Sequence, residues 1–148
     1  LENPPIPINA LHQELTKHDE RVIRRLKKTK PGQNVWDLGD DEDGLPGVKK
    51  ARMSHIYKRL DSTKPAYTIT GSGGGGTHVY HYQEHRALTN RERARLQTFP
   101  DSFIFEGSKE SVRKQIGMAV PVKGAKIIFD SLLKTFAGIK YKNIDPKY

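Results

Sequence analysis

The chain has 148 residues, of which 34% are apolar, with a formal net charge of +9 and a mean hydropathy of −0.73. This length fits one domain or parts of two, and the apolar content is lean for a core that is complete in itself. The sequence contains no cysteine, which excludes disulfides, cysteine zinc sites and a thiolate nucleophile supplied by this chain. It also has no apolar run long enough to span a bilayer and no secretory signal pattern.

The positive charge is concentrated in one part of the chain. Residues 1–50 carry nine Lys and Arg against nine Asp and Glu, whereas residues 51–148 carry seventeen against eight. A localised basic surplus indicates a polyanionic partner, most commonly nucleic acid, although charge that serves only solubility is the alternative. The chain begins at Leu1 rather than at a methionine, so we expect a processed product or a fragment of a longer protein.

The N-terminal third predicts an extended segment, a helix and a loop. Residues 1–15 are stiffened by proline, and Lys17–Lys28 has the pattern of a helix capped by Thr16. The basic face of this helix is either solvated or in contact with phosphate, and the pattern does not separate the two. Residues 33–48 predict a loop. Its acidic cluster Asp40–Asp43 lacks the ligand spacing of a calcium loop, so we interpret it as a solvated turn.

The middle of the chain predicts a strand followed by a glycine-rich loop. Residues 49–60 fit a short helix or a strand equally well. Residues 64–70 predict a strand, because β-branched residues follow a proline. Gly71–Gly76 is then either a flexible linker or a loop whose free N–H groups approach a phosphate, and its place directly after the strand favours the loop. Three histidines follow, at His78, His81 and His85. Their spacing matches no metal site, so we predict no metal here.

A capped helix is predicted next. Thr89 and Glu92 have the spacing of a capping box, which predicts a helix that begins after Thr89 and ends near Gln97. Arg91 and Arg95 are four residues apart and therefore lie on one face of this helix. Each of these two arginines is expected either to form an ion pair that supports the fold or to contact phosphate.

Two further helices are predicted toward the C-terminus. The first covers Ser108–Ile116, with Gly117 at the position that follows its end. The second begins near Pro121, ends at Gly138 and carries an apolar stripe that is either core or a partner surface. The stripe consists of Val122, Ala125, Phe129, Leu132, Leu133 and Phe136.

Two stretches resemble a known enzyme family. Arg86–Asp101 reads R-A-L-T-N-R-E-R-A-R-L-Q-T-F-P-D, and Gln115–Pro121 reads Q-I-G-M-A-V-P. They resemble the ninth and tenth ordered motifs of the cytosine-5 DNA methyltransferases of restriction–modification systems. The run K-P-A-Y-T-I-T with its glycine-rich loop is similar to the end of that family's target-recognition region. The resemblance is specific over Lys64–Pro121. Residues 1–63 match no motif and are assigned to the recognition region only because they precede that stretch.

The resemblance implies an α+β fragment in two parts. Residues 1–85 would belong to a small, mixed target-recognition region of short strands and helices. Residues 86–148 would link it to the cofactor domain, with C-terminal helices that complete a Rossmann-like methyltransferase domain. The implied enzyme transfers a methyl group from S-adenosylmethionine to C5 of a cytosine flipped out of double-stranded DNA. A bacterial-type cytoplasmic location at the nucleoid, without membrane association, is implied as well.

The resemblance also implies site residues. Those expected at DNA are Arg59, Thr68, Ile69, Thr70, Gly71, Ser72, Gly73, Gly74, Arg91 and Arg95. Those expected at the cofactor are Gly117, Met118, Ala119 and Val120, with Met118 in place of the family's usual Asn.

Three parts of the family's pattern have no counterpart in this chain. They are the Cys of its Pro-Cys motif, the Glu of its Glu-Asn-Val motif and the Phe-x-Gly-x-Gly loop for S-adenosylmethionine. Thr135–Ile139 is similar to the start of that loop, but Lys140 stands where its second glycine is required. We therefore expect no catalytic residue here, and a partner that is the N-terminal catalytic part of the same enzyme or a separate catalytic subunit. A stand-alone basic DNA-binding module and an interaction subunit are the alternatives.

Overall fold

The computed structural model of the chain describes residues 5, 7, 10–45, 54–74, 76–142 and 144. Within these residues the chain forms four α-helices and one short 3-10 helix. The α-helices are α1 (Glu20–Lys28), α2 (Asn90–Leu96), α3 (Lys109–Met118) and α4 (Val122–Phe136), and the 3-10 helix is Val35–Leu38. No helix in the described part is long and apolar enough to cross a membrane.

Helix α1 begins three residues later than the sequence predicts. Asp19, rather than Thr16, is the N-cap, and its carboxylate accepts a hydrogen bond from the Val22 N–H at 2.8 Å. An Asp oxygen satisfies one of the free amides of the first turn, and its charge suits the positive end of the helix dipole. The predicted start at Lys17 is therefore wrong, whereas the predicted end at Lys28 is confirmed.

The strand predicted over residues 64–70 is not formed. The described part of the chain contains only two isolated β-bridges, and both involve Tyr80, which pairs with Arg59 in parallel and with Ala87 in antiparallel orientation. A strand requires a second extended segment beside it. Residues 69–71 instead lie against α2 and α3, where the Thr70 carbonyl accepts a hydrogen bond from Arg93.

The described residues between α1 and the bridge at Arg59 contain one short helix. Residues 33–48 contain the 3-10 helix, which Asn34 starts with a capping box. Asp43, in the predicted solvated turn, is buried and forms ion pairs with Arg24 and Lys28. Of residues 49–60, only 54–60 lie within the described part, where they form a turn and the bridge at Arg59.

The core consists of two apolar clusters. The larger holds α2 and α3 together and contains Ile69, Val79, Leu88, Ala94, Phe105, Val112 and Ile116. The smaller contains Leu26, Tyr80 and Ala87, with Val22 and Tyr57 packed against it. Both clusters join residues from before and after position 85, so the predicted division at 85/86 does not coincide with a gap in the packing.

Helix α3 ends two residues later than the sequence predicts, and α4 lies outside the core. Gly117 lies within α3, and Ala119 is the residue that caps it. Helix α4 has no buried residue. Its first turn is attached to the end of α2, because the Val122 N–H donates to the Gln97 carbonyl and the Lys123 N–H to the Thr98 hydroxyl.

Candidate nucleic-acid interface

Residues 68–74 run along one side of α3 at very short range. A Cβ atom added to Gly117 would lie 1.9 Å from the Gly71 nitrogen and 2.3 Å from the Thr70 carbonyl carbon. A Cβ atom on Gly71 would in turn lie 3.0 Å from the Lys114 Cα. Because backbone meets backbone here, only glycine fits at Gly117. The tenth-motif glycine therefore sets the position of the glycine-rich loop.

The segment presents a polar outer side. Thr68, Ser72 and Gly74 are exposed, whereas Ile69 points into the larger apolar cluster. The hydroxyl groups of Thr70 and Ser72 lie 2.8 Å apart and form a hydrogen bond. Thr68 and Thr70 also line a cavity of about 170 Å³. The remaining lining residues of this cavity are Ser54, His55, Lys58, Tyr67, Thr77 and Val79.

Two buried arginines lie beneath this segment. Arg93 of α2 is fully buried and donates to the Thr70 carbonyl at 3.2 Å. Arg113 of α3 is 9% exposed and donates to the Gly73 carbonyl at 3.5 Å. Burial, together with repulsion from Arg113, lowers the pKa of Arg93 to about 10, so the Arg93 guanidinium is still charged at neutral pH. The sequence reasoning missed this pair, because Arg93 is at a variable position of the ninth-motif stretch and Arg113 lies outside both motif stretches.

His78 completes the buried cluster as a neutral group. Its Nδ1 lies 3.4 Å from the Arg93 guanidinium. Burial, and next the positive charges of Arg93 and Arg113, lower the pKa of His78 to about 4. A neutral imidazole can accept a hydrogen bond from Arg93 without adding a third positive charge.

The predicted DNA contact at Arg59 does not fit the position of its side chain. Arg59 is 4% exposed, and its guanidinium donates to backbone carbonyls of two separate segments. The acceptors are the carbonyl oxygens of Leu26, Thr29, His81, Tyr82 and Glu84. With its donors bound inside the protein, Arg59 fastens α1 to the segment around Tyr80, and we assign it a structural role.

Arg91 and Arg95 are also bound to the protein. Arg91 is 1% exposed and donates to the carbonyls of Leu11, Pro100 and Phe103. Arg95 forms a two-bond ion pair with Asp101, at 2.8 Å and 2.6 Å. Of the two alternatives left open by the sequence, this geometry favours support of the fold over phosphate contact for both arginines.

The capping box of α2 is formed as predicted, and it is extended by an ion pair. The Thr89 hydroxyl accepts from the Glu92 N–H at 3.1 Å, while the Glu92 carboxylate accepts from the Thr89 N–H at 2.8 Å. Arg86 donates two further hydrogen bonds to Glu92, both 2.8 Å long. The first and seventh residues of the ninth-motif stretch are thereby joined.

The four residues expected at the cofactor lie at the end of α3 and directly after it. Backbone atoms of Thr70 and Gly71 fill the space in front of Gly117, so no ligand can approach it there. Met118 is 73% and Val120 66% exposed, and the Ala119 carbonyl accepts from the Gln97 amide at 3.2 Å.

The three histidines at positions 78, 81 and 85 do not converge on one point with other ligands. Among the described residues, no group of three or more His, Cys, Asp or Glu side chains is placed to hold a metal ion.

Residues 6–134 match the sequence model of the C-5 cytosine-specific DNA methylase family. The matched range includes α1 to α3, most of α4, and the Thr70–Gly117 contact that joins the glycine-rich segment to α3. The chain belongs to the C-5 cytosine-specific DNA methylase family.

Similar proteins include methyltransferases of bacteria and archaea. The type II methyltransferase M.BbvI of Brevibacillus brevis is 58% identical over 143 residues, which are 97% of this chain and 38% of that protein. The type II methyltransferase M.NgoFVII of Neisseria gonorrhoeae is 44% identical over 95% of this chain and 36% of its own length. The DNA (cytosine-5-)-methyltransferase M.ApeKI of Aeropyrum pernix is 44% identical over 80% of this chain and 25% of its own length. The chain thus spans less than two fifths of each of these relatives.

Proposed function

We propose that this chain is the DNA-recognition part of a restriction–modification DNA cytosine-5 methyltransferase. Two observations carry this proposal. Residues 6–134 match the family, and the chain spans 38% or less of the relatives described above. The whole enzyme would transfer a methyl group from S-adenosylmethionine to C5 of a cytosine flipped out of the duplex. The thiolate that attacks C6 and most of the cofactor site would come from the catalytic part of the enzyme, and this chain alone would be inactive.

Within that enzyme the chain has two tasks. Residues 1–85 would belong to the region that reads base edges in the major groove, where each base pair has a distinct pattern of donors and acceptors. The exposed hydroxyl groups and backbone of Thr68–Gly74 would flank the flipped nucleotide. Residues 86–148 would hold this segment in place and return the chain toward the cofactor domain.

Helix α4 supports the second task. Large apolar side chains along it are exposed, among them Phe129 at 63%, Leu133 at 65% and Phe136 at 85%. Contiguous apolar surface of this kind marks a contact with another protein surface. We propose that it docks on the catalytic part, which lies on the same polypeptide or on a separate subunit. An interaction subunit with no role at DNA is the second candidate that this surface favours.

A reconstitution assay tests the proposal. The 148-residue chain is mixed with a polypeptide that carries the Pro-Cys, Glu-Asn-Val and Phe-x-Gly-x-Gly motifs, labelled S-adenosylmethionine and duplex DNA. We expect label in cytosine with the mixture and none with either polypeptide alone. A sequence-specific gel shift by this chain without any rescue of methylation would instead support a stand-alone DNA-binding module. If the chain binds the catalytic polypeptide equally well with and without DNA and binds no DNA itself, the interaction subunit is supported.

A further inference from the structure

Thr98 has a backbone conformation that a β-branched residue rarely adopts. Its φ angle is 61°, in the left-handed region, where glycine is the usual residue. A β-branched side chain is an outlier there, because its Cβ crowds the neighbouring carbonyl. Thr98 also stands at a variable position of the ninth-motif stretch, so the motif does not require threonine.

The left-handed conformation belongs to the end of α2. The Thr98 N–H donates to the Arg95 carbonyl at 2.8 Å. The Phe99 N–H donates to the Ala94 carbonyl at 2.9 Å. These two bonds form a Schellman motif in which Gln97 is the C-cap and Thr98 takes the position that glycine favours. Glycine would end α2 with less backbone strain, and a strained threonine in its place points to a use of the side chain.

The Thr98 side chain caps the start of α4. Pro121, the N-cap of α4, has no side-chain acceptor for the free N–H groups of the first helical turn. The Thr98 hydroxyl accepts from the Lys123 N–H at 2.9 Å. The Gln97 carbonyl accepts from the Val122 N–H at 3.2 Å. Two adjacent residues at the end of α2 thus replace the capping side chain that α4 lacks.

The same corner holds the end of α3, because the Gln97 side-chain amide donates to the carbonyls of Ile116 and Ala119. Helix α4 leaves this corner as a lever of 15 residues, about 22 Å long. A rotation of about 15° at its first turn would move its far end by about 6 Å. The bonds at the first turn therefore control where the apolar face of α4 lies.

We propose that Thr98 is a positioning residue that sets the direction of α4 and thereby the fit of its apolar face to the catalytic part. The proposal rests on the proposed function, because it concerns how α4 docks. Threonine at this position accepts backbone strain at the end of α2, and its hydroxyl in return holds the start of α4. In this role Thr98 acts through α4 and contacts neither DNA nor S-adenosylmethionine.

Single-molecule fluorescence energy transfer on the full chain tests the direction of α4. Because the sequence has no cysteine, dyes can be attached at Lys114→Cys on α3 and Lys134→Cys on α4, both at exposed positions. The measurement is made at nanomolar concentration, so that chains do not associate with one another. We expect one narrow distance distribution for Thr98 and for Thr98→Ser, which keeps the hydroxyl. Thr98→Val and Thr98→Gly lack the hydroxyl and should broaden it. Thr135→Val removes a threonine hydroxyl from within α4 and is the matched control, with no broadening.

Stability and docking should respond differently to Thr98→Gly. Glycine adopts the left-handed conformation without strain, which offsets the lost hydrogen bond, so the urea midpoint should not fall. The dissociation constant for the catalytic polypeptide should rise about three- to tenfold, the effect of one lost hydrogen bond. The rate of methylation at a saturating concentration of the chain should stay unchanged, because the reacting groups are untouched. Thr98→Ser should restore the wild-type dissociation constant.

The outcomes separate this proposal from the proposed function. Equal distance distributions and dissociation constants for wild type, Thr98→Gly and Thr98→Val would overturn the role of Thr98, while the proposed function stands. A broadened distribution with unchanged affinity would overturn it as well, because the direction of α4 would then not matter for docking. A wild-type chain that does not bind the catalytic polypeptide would overturn both proposals.

Discussion

Gly117 is the residue at which the fold tolerates least change. It lies in the last turn of α3, and the backbone of Thr70 and Gly71 occupies the place of its missing side chain. In most helix interiors alanine stabilises relative to glycine, because it restricts the unfolded chain and favours helical angles. At Gly117 that gain is under about 1 kcal/mol and is opposed by a steric clash. Because the clashing atoms belong to the backbone, they cannot move aside as the end of a flexible side chain could.

We therefore predict that Gly117→Ala lowers the free energy of unfolding by about 2 kcal/mol or more, measured by urea denaturation. Gly124→Ala is the matched control, because Gly124 also lies in a helix and its added Cβ would meet only Pro121, at 3.7 Å. Gly124→Ala should leave the denaturation midpoint unchanged or slightly higher and increase the helical circular dichroism signal. Equal stability of the two variants would mean that the contact between α3 and the loop is not formed in solution.

Single residues also show which contacts can be predicted from the sequence. The N-caps at Thr89 and Ser108 were predictable, because each cap side chain accepts from a backbone N–H only three residues further along the chain. The partners of Arg59 and Arg91 were not, since their acceptors are carbonyls up to 80 positions distant. Every carbonyl of a chain is a possible acceptor, so only the folded path selects the ones that meet a given guanidinium.

At the level of elements, helix α2 depends on a charged capping network. Burial raises the pKa of Glu92, but the hydrogen bonds from Arg86 and from the Thr89 N–H outweigh it, and the pKa is lowered from its usual 4.5. A carboxyl group whose pKa is lower in the folded state stabilises the fold above its unfolded pKa. That contribution is lost as the pH falls through the folded pKa.

We predict that the stability of the wild-type chain falls more steeply below pH 4.5 than that of Glu92→Gln, measured by urea midpoints at a series of pH values. Glutamine retains an acceptor for the Thr89 N–H but does not titrate, so the difference between the two curves isolates the Glu92 charge. Arg86→Met, which removes the main cation facing Glu92, should flatten the curve in the same range. Parallel curves for wild type and Glu92→Gln would show that the Arg86–Glu92 pair does not depend on charge.

The elements that the sequence predicted least well are those that need a distant partner. Residues 64–70 have strand composition, yet the neighbouring surface is made by α2 and α3, and the segment forms no ladder. β-Propensity describes fit to a pleated surface, so it fails where no such surface is present. The helices α2, α3 and α4 were predictable because their caps and apolar spacing are local.

At the level of the whole molecule, a buried pair of charged side chains occurs together with an exposed apolar helix face. The buried arginine pair lies under the Thr70–Gly74 segment, while the first turn of α4 is attached to the end of α2 and α4 has no buried residue. Sequence periodicity identified the apolar stripe of α4 but left core and partner surface as alternatives. Exposure of Phe129, Leu133 and Phe136 favours the partner surface.

This exposure predicts the behaviour of the chain alone. We expect concentration-dependent self-association and binding of a hydrophobic dye, both measured in sedimentation and fluorescence titrations. The double variant Phe129→Asp and Leu133→Asp should abolish both, because charge on the stripe opposes burial against a second apolar face. Lys134→Asp, on the same helix at an exposed polar position, should not prevent association. Addition of the catalytic polypeptide should compete with self-association, since one apolar face serves both contacts. A wild-type chain that stays monomeric at high concentration and binds no dye would contradict the assignment of α4 as a docking surface.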